Sequence, residues 1–190
     1  MRKLLALVAV LLLSFTTYAS AAINFASLEW GLTANQAHAI MLKKGYKFVA
    51  VVPVDGARDV RYTGIVGTAS ANIFLKYNSD DELACVTVIT EEVSSPMQLF
   101  NALSSTLTEK YGAPESEQDK RSAQFEDITS VTQLSQGIRL GEVYMETYWS
   151  DDEAGVAIET LKGGNIRLDY YGPLWQDEYD RREAGKTNDL

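Results

Sequence analysis

The chain has 190 residues, 46% of them hydrophobic, and carries 17 Lys and Arg against 26 Asp and Glu, a formal net charge of −9. That acidic balance repels phosphate backbones and anionic lipid headgroups, so neither nucleic acid nor an unaided membrane surface is expected as a partner. The length suits one domain able to bury on the order of 70% of its unfolded surface without staples.

Arg2 and Lys3 open the chain with positive charge, Leu4 to Leu13 form an unbroken apolar run, and Ala19-Ser20-Ala21 offers a small-residue cleavage site. This is the pattern of a secretory signal peptide over residues 1–21, with the mature chain starting near Ala22. The run of about ten residues is too short to cross a hydrocarbon core that needs roughly 20. The expectation is therefore a periplasmic protein, exported by a cleavable signal, with no direct membrane insertion. Loss of Arg2 and Lys3 leaves 15 basic residues against 26 acidic ones, a net charge of −11. A lipid anchor would require a cysteine at the cleavage point, and the only cysteine is Cys85. No twin-arginine pair is present, which favours export as an unfolded chain and weighs against a preloaded cofactor; none is expected.

Thr33-Ala34-Asn35-Gln36 reads as a capping box opening a first helix that stops at Lys43-Lys44-Gly45. Its thin stripe of Ala34, Ala37, Ile40 and Met41 predicts shallow docking. Period-two segments follow at Lys47 to Val54, Val60 to Val66, Ala71 to Tyr77 and Leu83 to Thr90. In the last of these Cys85 lies among apolar residues on both faces, so it reads as a buried, inert thiol.

Ser95-Pro96-Met97-Gln98 repeats the box with proline at the first helical position, and Lys110-Tyr111-Gly112 with Pro114 closes the second helix. Phe100, Leu103, Leu107 and Tyr111 share one face, which predicts a helix lying across a sheet. The stretch from Pro114 to Gly141 is charged, then polar, and reads as a long mobile loop with a weak strand over Ala123 to Val131. Clearer strands are predicted at Glu142 to Trp149, Val156 to Leu161 and Asn165 to Tyr171. After Gly172-Pro173 the charged tail offers a short helix from Leu174 to Ala184, with Trp175 and Tyr179 on one side and Gly185 as its end. Residues 186–190 are expected to be disordered.

One helix followed by about four strands, twice, predicts an α+β domain over 22–172 with pseudo-repeats at about 24–92 and 93–172, a mostly antiparallel sheet, and helices packed on one face. Tyr77-Asn78-Ser79-Asp80-Asp81-Glu82 and Tyr148-Trp149-Ser150-Asp151-Asp152-Glu153 agree at five of six positions. Yet the first turn precedes the fourth strand of its half and the second precedes the third, so whole elements are the better guide.

Candidates for chemistry are sparse. His38, the only histidine, lacks a second imidazole or thiol for a zinc site, and no serine sits in a Gly-x-Ser-x-Gly turn. The acidic turns lack the ligand spacing and central glycine of a calcium loop, though a calcium-stabilised module is one alternative. Gly64-Ile65-Val66-Gly67 and Lys162-Gly163-Gly164 lack the lysine-hydroxyl ending of a phosphate loop and read as strand ends or turns. A hydrolase whose site is assembled only in the fold is a second alternative. The stronger signal is the wet face of the sheet. Tyr144, Glu146 and Tyr148 alternate with core residues, and Arg167, Asp169 and Tyr171 do the same on the last strand, giving six candidate binding-surface residues.

The run Leu28-Glu29-Trp30-Gly31-Leu32-Thr33, a helix ending in Lys-Lys-Gly, a second helix ending Leu107-Thr108-Glu109-Lys110-Tyr111-Gly112-Ala113-Pro114, then Trp149 and a closing hairpin, resembles a group of small exported bacterial proteins of uncharacterised function. At fold level the duplication is similar to the β-lactamase inhibitor protein and, as a single unit, to the lipoprotein of the outer-membrane β-barrel assembly machinery. The resemblance implies a non-enzymatic binder. The combined expectation is a non-catalytic binding or accessory protein of the cell envelope, acting on an envelope protein or small ligand.

Overall fold

A computed structural model describes residues 22–188 except Asp55, with side chains described as far as Gly185. The signal peptide expected over residues 1–21 lies outside the described residues. The elements run α1 (Ala34–Lys43), β1 (Lys47–Val54), β2 (Ala57–Val66), β3 (Ala69–Tyr77), β4 (Leu83–Thr90), α2 (Pro96–Tyr111), β5 (Ser116–Arg121), a 3-10 turn (Ala123–Phe125), α3 (Val131–Leu140), β6 (Val143–Ser150), β7 (Gly155–Thr160), β8 (Ile166–Tyr171) and α4 (Trp175–Asn188). All eight strands form one sheet in the order β1-β2-β3-β4-β8-β7-β6-β5, every pairing antiparallel. The fold is α+β, as expected.

Two four-stranded meanders meet at β4 and β8, where Val86 pairs with Tyr170 and Val88 with Leu168. Side chains alternate across a pleated strand, so this register sets the faces throughout. Ile73, Leu75, Val86, Val88, Leu168, Tyr170, Val156 and Ile158 point to one side, all buried. The long apolar row of α2 (Leu99, Phe100, Leu103, Leu107) closes over the second meander, while Ala37 and Met41 of α1 join Ile23, Phe25 and Leu28 over the first.

Two buried ring tips are tied to backbone. Trp149 Nε1 donates to Gly112 O at 3.1 Å, and Tyr111 Oη donates to Asn24 O at 3.0 Å. Gly64 earns its place by close approach, since a β-carbon there would lie 2.4 Å from the Tyr46 ring.

The capping box at α1 forms, with Gln36 Oε1 accepting the Thr33 N–H at 2.9 Å. The second box does not. The Ser95 hydroxyl instead faces Ser135, and Ser135 Oγ accepts the Met97 N–H at 3.2 Å. The start of α2 is thus satisfied from α3.

That helix corrects the reading of residues 114–141 as a loop with a strand over Ala123 to Val131. The region holds β5, a 3-10 turn and α3. Leu134 and Ile138, four apart, form the apolar stripe of α3 and pack with Met97 and Val143 in a second small core. Gly141 ends the helix in the left-handed region at φ 78°, where glycine carries no side-chain penalty.

The tail also differs. Its helix runs through Gly185 to Asn188 instead of ending at that glycine, so residues 186–188, expected to be disordered, belong to it. While α1, α2 and α3 cover the core face, α4 lies on the opposite face. There Arg182 bonds Asp59, an outward residue of β2, and Lys76 Nζ sits 5.1 Å from the Trp175 ring centre. The acidic turns join β3 to β4 and β6 to β7, so element order and turn sequence stay out of step.

Removing the buried side chain of Ile158, midway along β7 and fully enclosed, as Ile158→Ala should cost about 2–5 kcal/mol of unfolding free energy. Ile65→Ala, at an exposed position of β2, should cost within about 0.5 kcal/mol. Paired urea melts check both.

Candidate functional site

The face left open beside α4 carries the candidate residues. Register places Tyr144, Glu146 and Tyr148 of β6 on the same side as Glu159 of β7 and Arg167, Asp169 and Tyr171 of β8. Hydrogen bonds and ion pairs link a polar row across these strands. Tyr144 Oη lies 2.7 Å from Glu146 Oε2 and 2.9 Å from Glu159 Oε2, so one phenolic proton serves two carboxylates that face each other in the ladder. Burial, then the hydrogen bonds to these two carboxylates, push the Tyr144 phenol well above its ordinary value.

Arg167 continues the row, 3.5 Å from Glu159 and 2.5 Å from Asp169. Asp169 is buried and also accepts the Thr87 hydroxyl of β4. A carboxylate this deep requires such partners, because an unpaired buried charge is costly. Lys120 of β5 stands 5.4 Å from the Tyr144 ring centre and closes the row at the sheet edge.

The other two candidates, Tyr148 and Tyr171, lie at the α4 end. With Gly172, Trp175, Gln176 and Tyr179 they line a cleft of about 360 Å³ between helix and sheet. Its floor depends on Gly155, where a β-carbon would fall 2.4 Å from the Tyr148 hydroxyl, so only a bare backbone lets that ring lie flat. Its wall depends on α4, where Trp175 and Tyr179, one turn apart, have ring centres 6.0 Å apart. Burial raises both tyrosine hydroxyls of the floor, with Glu115 adding to the effect at Tyr148 and Asp169 at Tyr171. The cleft is aromatic and the two phenols of its floor stay protonated.

Charge pairs hold α4 in place. Glu178, buried on the helix underside, accepts from Arg181 at 2.7 Å and from Arg182 at 2.6 Å. Arg182 also bonds Asp59 and the Tyr77 carbonyl, each at 2.9 Å. Burial alone would raise Glu178, but its two arginines outweigh that and hold the carboxyl below its ordinary value.

The structure thus brings the six predicted residues onto one face in two groups, a polar row and an aromatic cleft. Sequence reasoning missed Glu159, which alternates with Ile158 and Thr160 and becomes visible once β7 is drawn between β6 and β8. It also missed Thr87, Gln176 and the role of Trp175 and Tyr179 as a wall.

The remaining candidates are built into the fold. His38 Nδ1 lies 2.9 Å from the Tyr62 hydroxyl, and its ring meets Phe48 edge-on at 5.6 Å. Cys85 is fully buried, and burial pushes its thiol up to about 12. In the acidic turns Asn78 Oδ1 accepts the N–H groups of Asp80 and Glu82, Asp81 pairs with Arg58, and Asp151 Oδ1 accepts from Glu153 and Ala154. These oxygens close their own turns. Among the described residues no three His, Cys, Asp or Glu gather as a metal site requires, and no helix is long and apolar enough to cross a membrane.

Two predictions follow from these contacts. Tyr144→Phe, which removes the proton shared by Glu146 and Glu159, should cost about 1–3 kcal/mol; adding Glu159→Gln to that variant should recover part of the loss in thermal melts, because the like-charge pair is gone. Since the Glu178 carboxyl is depressed in the fold, its contribution is complete above its ordinary value of 4.5 and is lost as pH falls through the lower folded value. Acid titration of Trp175 fluorescence, in a chain with Trp30 and Trp149 replaced by Phe, should therefore show α4 loosening only as pH falls below that ordinary value of 4.5, and Glu178→Gln should abolish that transition.

Comparisons with protein-family models, with curated proteins and with solved structures each return no match.

Proposed function

We propose that the protein is a non-catalytic binding or accessory protein of the cell envelope, reached through the signal peptide read at residues 1–21. Its partner is a protein or small ligand that seats a flat apolar or aromatic group in the cleft. The observation that carries this reading is the cleft itself, where Tyr148, Tyr171, Trp175 and Tyr179 surround about 360 Å³ beside a pre-ordered polar row. Tyrosine and tryptophan offer large contact area at low entropy cost and dominate binding energy at interfaces. Glu146, Glu159 and Arg167 lose little further freedom when a partner arrives, because their side chains are already fixed, and such preorganisation favours affinity. The resemblance to exported binders described above agrees with this reading.

The test is capture from envelope extract with the tagged protein, followed by titration of the recovered partner. Gln176→Ala with Tyr179→Ala alters two exposed cleft positions and should leave the circular dichroism unchanged. It should weaken the partner roughly thirty-fold, the effect of a hot-spot loss of about 2 kcal/mol. Equal affinity for the double variant, or turnover of a substrate without a retained partner, would overturn the proposal.

A further inference from the structure

The two edges of the sheet are unlike. At one end β5 reads Ser116-Glu117-Gln118-Asp119-Lys120-Arg121, a charged strand of the kind that guards an edge against pairing. At the other end β1 reads Lys47-Phe48-Val49-Ala50-Val51-Val52-Pro53-Val54 and, among the described residues, pairs only with β2. Phe48, Val49, Val51 and Val52 are each 40–49% exposed, and Leu42 at the end of α1 adds to them. β1 carries a bulge between Phe48 and Ala50, yet its outer backbone groups on either side stay unpaired among the described residues, and an apolar edge strand of this kind is a template for another strand.

We propose that the strand it pairs with is β1 of a second copy, antiparallel across a two-fold axis, so that two eight-stranded sheets continue into one. The proposal uses a surface distant from the aromatic cleft and stands independently of the binding reading.

Three features select a second copy. The first is length and register. Pro53 has no N–H to donate, so the usable ladder runs from Lys47 to Val52. Its two-fold centre sets Phe48 opposite Val51 of the twin, and Lys47 opposite Val52. The second is the faces. Phe48 and Val51 stand beside Tyr62 and Val60, which point to the core, whereas Lys47 and Val52 stand beside Thr63 and Asp59, which point away. A β-bulge between Phe48 and Ala50 puts residues three and five apart on a common face, so these two pairs each share a face, as antiparallel pairing demands. Two Phe48 and two Val51 side chains then cover one another beside the α1 helices.

The third feature is charge. Lys43, Lys44 and Lys47 collect at the start of β1, while the acidic turn with Asp80 and Asp81 reaches its far end, where Arg58 joins Asp81 at 2.6 Å and Pro53 in the ladder. Antiparallel pairing brings the basic end of each copy toward the acidic end of the other. An interface of one short strand is small, so the dimer should be weak, with a dissociation constant on the order of micromolar.

Sedimentation of the purified chain at roughly 0.15 M salt, where charges more than about 8 Å apart are screened, reads the mass directly. The wild-type chain should pass from monomer to twice that mass as concentration rises toward the high micromolar range. Val49→Lys with Val51→Lys, both at exposed positions, should remain monomeric with unchanged circular dichroism, whereas Val131→Lys on α3 should dimerise normally. A Val49→Cys chain should be joined to its twin by a short thiol cross-linker at least tenfold faster than a Glu117→Cys chain, the native Cys85 being enclosed. A wild-type chain that stays monomeric, a dimer indifferent to the β1 lysines, or equal cross-linking from β5 would each overturn the proposal.

Discussion

The ladder between β4 and β8 holds the molecule together. Among the described residues it is the only strand pairing between the two meanders, and it must bury side chains on both faces at once. On the core side Val86 and Val88 meet Tyr170 and Leu168. On the other side Thr87 lies directly opposite Asp169, a buried carboxylate that is tolerable only because Thr87 and Arg167 answer it. A slip of one residue would turn the apolar set outward and strand Asp169 among aliphatic groups, so hydrophobic pattern and polar pairing specify the same register. From that register follow the cover given by α2, the polar row and the position of the cleft.

Legibility in the sequence tracked burial asymmetry. Strands with one dry face, such as Ile166 to Tyr171, announced themselves by alternation, and α2 did so by its apolar stripe and its Pro and Gly ends. By contrast β5 carries Glu117, Asp119 and Arg121 toward the helix side and Gln118 and Lys120 toward the other, with no apolar residue to mark a face. Leu134 and Ile138 gave α3 too thin a stripe within a polar run, and it is stabilised by contact with Met97 and Val143 instead. Local pattern reveals an element that buries its own stripe and conceals one that borrows its partners.

The candidate surface was readable to the same degree. All six residues lie on strands whose alternation was plain, and they share a face because of it. Their grouping was hidden, because it depends on Gly155 making room for a ring and on a tail helix turning back across the sheet. That return is fixed by Glu178, Arg182 and Asp59, residues 123 positions apart at the extremes of the set. Charged residues in a tail ordinarily read as a solvated face, and no periodicity distinguishes an arginine bound for a distant aspartate from one bound for water.

The enclosure of Cys85 carries a separate consequence. A solitary thiol walled in by β-sheet and held in its protonated form is a poor participant in thiol exchange, which proceeds through the thiolate. Maturation of this polypeptide therefore needs no oxidase or isomerase, and a glutathione-rich medium and an oxidising one should yield the same end product.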